Sequence, residues 1–576
     1  MQQVTNPLGF APVDWLQLAL LALFIVGLLT WNARVRASFA AFAVKTKWCM
    51  ALLFLLPIAL RLLLLPYHPA PVADIYDEFS HLLVADTLLH GRLANPPHPL
   101  HQFFETFFVL QEPTYSSIYS LGPGIMLALG RLISGSAWAG VLISLGLFCA
   151  LCYWMLRAWV APAWALAGGL LAVIEFGPLN LWANCYWGGA LAAAAGCLVF
   201  GSLPRLTARW KWRDAALLGL GGGIHCITRP FESTLLLACI LLFFVPLLRR
   251  RDELKKLVRV MPVAVAAAVP FFALILLQNR AVTHNWLELP EQLSQYQYGV
   301  PTSLTFQPVP VPHLPLTPQQ ELDYKGQSLG HGYEPESVSR FLLRLEYRVR
   351  DYRFFYLPAL YVALVAFLFA LRNWRFAYVA VCCAIFALGT NFFYYLLPHY
   401  LAAVVGLYVL MVIAGLEALS RITIRDFAVG AQAIKIIALI CIAHFATWYG
   451  AHLFEKTAVA QDLEPYETWD AINHGDPHNR QFVKQQVAAI PGKLVLLVRY
   501  SPHHIFQNEW VWNAADIDGQ RVVWARDLGQ DEDAKLKAYY PDRTFYVLDP
   551  DVAPPKLEPY TPAAPKPQAN PFEDVH

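Results

Sequence analysis

Long apolar runs, separated by short clusters of basic residues, fill the first four fifths of the chain. A helix needs about 20 such residues to cross a bilayer. Twelve stretches are candidates: 14–32, 48–66, 138–157, 163–178, 188–204, 214–229, 233–249, 260–277, 355–371, 376–397, 399–418 and 428–448. Their connections carry Arg34, Arg36, Lys45 and Lys47, then Arg205, Arg209, Lys211 and Arg213, then "RRRDELKKLVR" (249–259). Arg372 with Arg375, and Arg421 with Arg425, mark two more. Twelve crossings bring every cluster to one side, which the positive-inside rule makes cytoplasmic. Counting 118–134 as a further crossing would move the 205–213 cluster outside. "IYSLGPGIMLALGRLIS" is therefore expected as an interfacial helix on the outer face.

Three large segments then lie outside: 67–137, 279–354 and everything after about 449. In the last of these the pattern changes. "GKLVLLVRYS", "QRVVWARD" and "RTFYVLD" read as three short buried strands, with a helical stretch at 478–490. The expected fold is an all-α polytopic membrane protein with a small extracytoplasmic α/β C-terminal domain. Residues 1–46 supply an extra span and a basic loop, 47–448 the transmembrane module, 449–551 the α/β domain, and 552–576 a proline-rich disordered tail.

Composition agrees with this reading. Of 576 residues 57% are hydrophobic and only 15% charged, well beyond a soluble domain. The start lacks a basic n-region and a small-residue cleavage site, so 14–32 is expected to persist as a span. All ten cysteines lie in or at the ends of apolar segments, which gives no disulfide framework. There is no phosphate-binding G-x-x-x-x-G-K-[ST] loop, and the glycines of "GLGGGIH" (219–225) lie within a span, where small residues serve helix packing. His98 with His101, and His503 with His504, lack a set of metal partners. No nucleic-acid partner is expected.

Candidate chemistry starts at "ADIYDEFSHLL" (73–83), where Asp77 and Glu78 open a helix expected over 75–90 and ending at Gly91. Asp77 and His81 share one face, while Ile75, Phe79 and Leu82 lie on another, expected to rest on the membrane. The pair either faces a pocket or is an acidic helix start favoured by the dipole. Asn184, Tyr186 and Trp187, then Arg229 and Glu232, then His399 and Tyr400 also fall at outer span ends. They either converge on a substrate site or form an ordinary aromatic belt with snorkelling cations. Arg61, near the outer end of its span, and the helical series Arg340, Arg344 and Arg348 are candidates for lipid-phosphate contact; interfacial anchoring is the alternative.

The Asp77-Glu78 pair in the first outer loop, followed by the Pro-containing "SLGPGIMLALGRLISGSAWAGVLIS" (120–144), resembles the GT-C superfamily of membrane glycosyltransferases. The likeness covers about 47–420. It is strongest to the branch holding protein O-mannosyltransferases, lipid A aminoarabinose transferases and RgtA/B/C/D-like enzymes. The resemblance implies a polyprenyl-phosphate-linked sugar donor and a lipid, glycan or protein acceptor. It maps the general base onto Asp77, with Glu78 positioning base or acceptor. It implies a bacterial inner (plasma) membrane location with the catalytic loops outside. No resident cofactor is expected beyond the donor substrate, and dependence on a divalent metal stays open. Arg229 and then Arg61 are read as cations for the departing phosphate, independently of the family's motif. The competing function is a transporter or flippase of polyprenyl-linked glycans.

Overall fold

The computed structural model describes residues 12–316, 320–321, 324, 328, 336–453, 471–472, 477–501, 504–505 and 507–561. The first eleven residues, His503 and the tail from 562 onward fall outside them.

The first helices are α1 (Pro12–Thr30), α2 (Ala33–Ala43), α3 (Thr46–Leu63), α4 (Tyr76–Leu89), α5 (Leu121–Ser134), α6 (Ala137–Leu156) and α7 (Pro162–Phe176). The short α8 (Leu181–Asn184) leads into α9 (Ala190–Arg209), α10 (Trp212–Cys226), α11 (Pro230–Phe244), α12 (Arg251–Thr283) and α13 (Pro290–Tyr298). Then come α14 (Val338–Arg348), α15 (Tyr361–Ala370), α16 (Trp374–Thr390), α17 (Val405–Ser420) and α18 (Val429–Ala451). The C-terminal region adds α19 (Pro477–Ala489) and α20 (Gln530–Tyr539).

A helix occupies each of the twelve candidate stretches, but they are unequal. Among the described residues seven helices are long and apolar enough to cross a membrane, or up to nine if two bent pairs each count as one. The chain is a multi-pass membrane protein; the figure of twelve full crossings is not met. α7 and α10 have 15 residues each and α16 has 17. They stop early because "FGPLN", "TRP" and the segment after Thr390 leave helical geometry before the apolar pattern ends. The stretch expected at 355–371 holds the ten-residue α15, set at 108° to the preceding helical segment beyond a break at Leu357–Pro358. Proline lacks the N–H needed to continue a helix through that point.

Hydrogen bonds fix the sidedness of the connections. Tyr153 Oη donates to Ala43 O (2.8 Å) and Arg157 to Thr46 (2.9 Å). Arg375 donates to Ala158 O (2.7 Å), Arg205 to Trp154 O (2.6 Å), and Trp210 Nε1 to Glu253 (2.9 Å). The basic clusters at 34–47, 205–213, 249–259 and 372–375 therefore gather at one end. At the opposite end the last turn of α3 meets α8 through Arg61 and Asn184, and Gly122 N donates to Ile227 O (2.8 Å) at the α10–α11 turn. A Cβ on Gly122 would lie 2.8 Å from that carbonyl, so glycine permits the approach. α5, with 14 residues, is too short to cross; it packs on α4 and α6.

Between α4 and α5, β1 (Val109–Leu110) pairs antiparallel with β2 (Ser116–Ser117), and the C-terminal region holds a four-stranded sheet. β3 (Leu494–Val498) pairs in parallel with β4 (Val522–Arg526) and β5 (Thr544–Asp549). β6 (Lys556–Pro559) joins β5 antiparallel. The three strands read from the sequence are present. β6 corrects the tail boundary: residues 556–559 complete a sheet edge rather than belonging to a disordered end.

This domain does not stand apart from the first outer loop. Leu83, Phe103, Phe104, Val109 and Tyr115 share one buried cluster with Val495, Leu497, Val523 and Val547. Cutting the chain after residue 455 would uncover five large apolar side chains of the loop, each worth about 1.5–3 kcal/mol when buried. The expected result is a truncated protein lost from the membrane fraction, read by size-exclusion chromatography of detergent extracts.

Candidate active site

α4 begins directly after an extended segment, and its first turn carries both acids. Glu78 is buried and spends its carboxylate on the backbone. Oε2 accepts from Asp74 N (2.9 Å), and Oε1 accepts from Tyr186 N (2.9 Å). The acid thus joins the start of α4 to the α8–α9 connection. Burial pushes its carboxyl up to about 7, against the backbone donors that favour the anion.

Asp77 is only half-buried and points away from these contacts. Its Oδ1 accepts a short hydrogen bond from the Tyr119 hydroxyl. Burial raises the carboxyl to about 6, while Tyr119 and the nearby Arg229 favour its ionised form. Tyr119 is held from three directions. Its amide donates to Ser117 Oγ (3.0 Å), Gln278 donates to its carbonyl (2.7 Å), and the His81 ring stacks on its ring at 4.3 Å. Ser117 Oγ in turn contacts Ser80 Oγ of α4 (2.6 Å), and Ser80 donates to Phe108 O (2.7 Å). Burial, then Arg229, lowers His81 to about 3, so it is a neutral support for Tyr119.

Arg229 follows the α10–α11 turn that Gly122 touches. Its guanidinium lies 3.8 Å from Glu232 and 5.2 Å from the centroid of the Tyr400 ring. Among the described residues the guanidinium makes no hydrogen bond. Tyr400 stacks on Phe393 at 4.3 Å and meets His399 edge-on at 4.7 Å; His399 meets Trp187 at 4.9 Å. His399 is within electrostatic reach of both Arg229 and His81. Glu232 Oε1, Trp187 Nε1 and His81 Nδ1 are buried without a hydrogen-bond partner among the described residues. Buried polar atoms seldom go unsatisfied, so this group has the character of a ligand site.

The structure thus brings together Asp77, His81, Arg229, Glu232, Trp187, His399 and Tyr400. It removes others from direct contact. Asn184 donates to Pro178 O and Asn180 O and accepts from Arg61 Nε (2.7 Å). Tyr186 donates its hydroxyl to Pro71 O (2.8 Å). Both hold loops. Arg61 spends its donors within the protein: it is buried, its other nitrogens donate to His68 O and Pro69 O (both 2.9 Å), and it lies over Trp138. Arg344 and Arg348 are engaged likewise. They donate to Asn391 O, and to Thr390 O and Tyr394 O, satisfying carbonyls that α16 leaves open at its C-terminus. Arg344 also pairs with Glu336 at 2.5 Å. Arg340, on the same helix, is half-buried and engaged. The apolar face of α4 is corrected too. Phe79 and Leu82 pack on Leu127, Ala128, Trp138 and Trp512, because α5, α6 and the C-terminal domain cover it in place of lipid.

Sequence reasoning missed Tyr119. Its only signal was position, two residues ahead of a helix beginning "LGPG".

No protein-family model matches the chain, and no curated protein sequence does. Among solved structures, ArnT from Cupriavidus metallidurans in the apo state aligns with a TM-score of 0.49 at 13% identity, covering 88% of this chain and 93% of that one. The same protein bound to undecaprenyl phosphate gives 0.48 at 13% identity, with the same coverage. The Archaeoglobus fulgidus oligosaccharyltransferase complex with zinc and sulfate gives 0.47 at 13%, covering 87% of this chain and 67% of that one. At these values the chemistry has to be argued from the residues themselves.

Proposed function

We propose that the protein is a membrane glycosyltransferase of GT-C type. It moves a sugar from a polyprenyl-phosphate carrier to a hydroxyl or amine of an envelope lipid, glycan or protein. The reading places it in a bacterial inner membrane with the site on the extracytoplasmic face. The observation that carries it is Asp77: a half-buried carboxyl near neutrality, bonded to Tyr119 and facing an arginine with unspent donors.

The acceptor's O–H or N–H gives its proton to Asp77 as the nucleophile attacks the sugar's anomeric carbon. That carbon's bond to the phosphate oxygen breaks, through a transition state with oxocarbenium character. The lipid phosphate departs as an anion, and Arg229 offsets the developing charge. Glu78 acts through the backbone, fixing the position of Asp77.

The base must be ionised, so transfer rises as pH increases through about 6. Tyr119→Phe removes a donor that favours the anion, so this rise moves to higher pH while the plateau rate changes less; a pH–rate profile of both proteins checks it. The function itself is tested by mass analysis of envelope glycolipids and glycoproteins with and without the gene. A missing sugar that the intact gene restores supports the reading. Movement of lipid-linked sugar between leaflets without a new glycosidic bond overturns it in favour of a transporter.

A further inference from the structure

The geometry points to Arg480 of the C-terminal domain as the positioning residue for the acid pair, through a relay Arg480–Asp74–Glu78. This rests on the glycosyl-transfer reading for its consequence but not for its geometry. Arg480 sits on α19 and is buried. Its Nε donates to Asp74 Oδ1 (2.8 Å) and its Nη2 to Asp74 O (2.8 Å) and to Glu509 O. The guanidinium lies between two rings, 5.0 Å from the centroid of Phe79 and 4.5 Å from that of Trp510. Asp74 N in turn donates to Glu78 Oε2, and Glu78 Oε1 accepts from Tyr186 N.

A domain about 400 residues away in sequence therefore holds the peptide just ahead of α4, whose first turn carries Asp77. Three further contacts keep that helix from sliding. Ile75 forms an antiparallel bridge with Asn508, Trp512 Nε1 donates to Phe79 O (3.2 Å), and Ala515 N donates to Asp86 Oδ2 (2.7 Å). Arg131 of α5 holds the other oxygen of Asp86 (2.8 Å). Arg480 is the one among these that grips both the side chain and the carbonyl of Asp74. Loss of its charge leaves Asp74 unpaired beside Glu78 and frees the α4 start.

Full-length protein in detergent, carrying Arg480→Gln, Arg480→Lys or the double change Arg480→Gln with Asp74→Asn, is compared with wild type by hydrogen–deuterium exchange. In Arg480→Gln the amides of 74–80 and of Tyr186 are expected to exchange about tenfold faster or more, while strands β3 and β5 keep their protection. Arg480→Lys restores part of it, and the double variant is no worse than Arg480→Gln, because the unpaired charge is gone. Transfer, followed by the envelope mass analysis, falls about tenfold to a hundredfold in Arg480→Gln. Unchanged exchange at Tyr186, or equal loss across β3 and β5, overturns the relay. If Asp77→Asn abolishes transfer but Arg480→Gln leaves it intact, the relay fails and the enzymatic reading stands. If Asp77→Asn leaves transfer intact, the reading of Asp77 as base fails, while the exchange pattern still decides the relay.

Discussion

Asp77→Asn is expected to abolish sugar transfer and to leave a folded protein that is slightly more stable than wild type above pH 6. Asparagine keeps an oxygen for the Tyr119 hydroxyl but cannot take the acceptor's proton, so the lost rate should reach at least the 10²–10⁴-fold typical of a general base. The stability argument has a sign. Asp77 titrates near 6 in the folded chain, above the value of about 3.9 in an unfolded one. Its contribution is therefore present below the unfolded value and lost as pH rises through 6. A neutral side chain escapes that loss, a gain on the order of 1 kcal/mol after allowing for its partial exposure. Thermal melts at pH 3 and pH 8 check it: the two proteins should differ only at the higher pH.

Arg229→Met is expected to lower transfer by about 10²–10³-fold, the usual cost of losing one group that stabilises a departing anion. Arg229→Lys should fall between, since an ammonium keeps the charge but not the planar fork. The single change to methionine strands buried Glu232, so the double variant Arg229→Met with Glu232→Gln separates charge loss from misfolding. The double variant should regain wild-type yield and thermal midpoint and remain inactive. Recovery of transfer along with yield would show that Arg229 serves Glu232 and not the leaving group.

The periodicity of apolar runs and the spacing of basic clusters were enough to locate a helix at every candidate stretch and to bring Asp77 and Arg229 to the same end. Those signals are local and repeat along the chain. Span lengths were harder, because α7, α10 and α16 break at Gly177, Ile227–Arg229 and the residues after Thr390, inside the stretches that the apolar pattern marks as spans. These broken ends are where the candidate site lies. The partners of the arginines were hidden for a related reason. Composition marks Arg61, Arg344 and Arg348 as cations near an outer surface, but carbonyls supplied by other segments use up their donors. Tyr119 was invisible because its role depends on Gly122 meeting Ile227, a contact spanning about 100 residues. The strands of the C-terminal domain were legible; its grip on Asp74 was not, since one ion pair links residues 74 and 480.

The shared cluster of Leu83, Phe103 and Phe104 with Val495 and Leu497 has a bearing on biogenesis. The ribosome makes the acid-bearing helix about 400 residues before the strands that complete its surroundings. Contacts so distant along the chain form slowly and leave oily surface uncovered in the meantime. A chain interrupted between the two thus carries the acids but not the wall that orders them, and the candidate site is complete only after the strands have emerged.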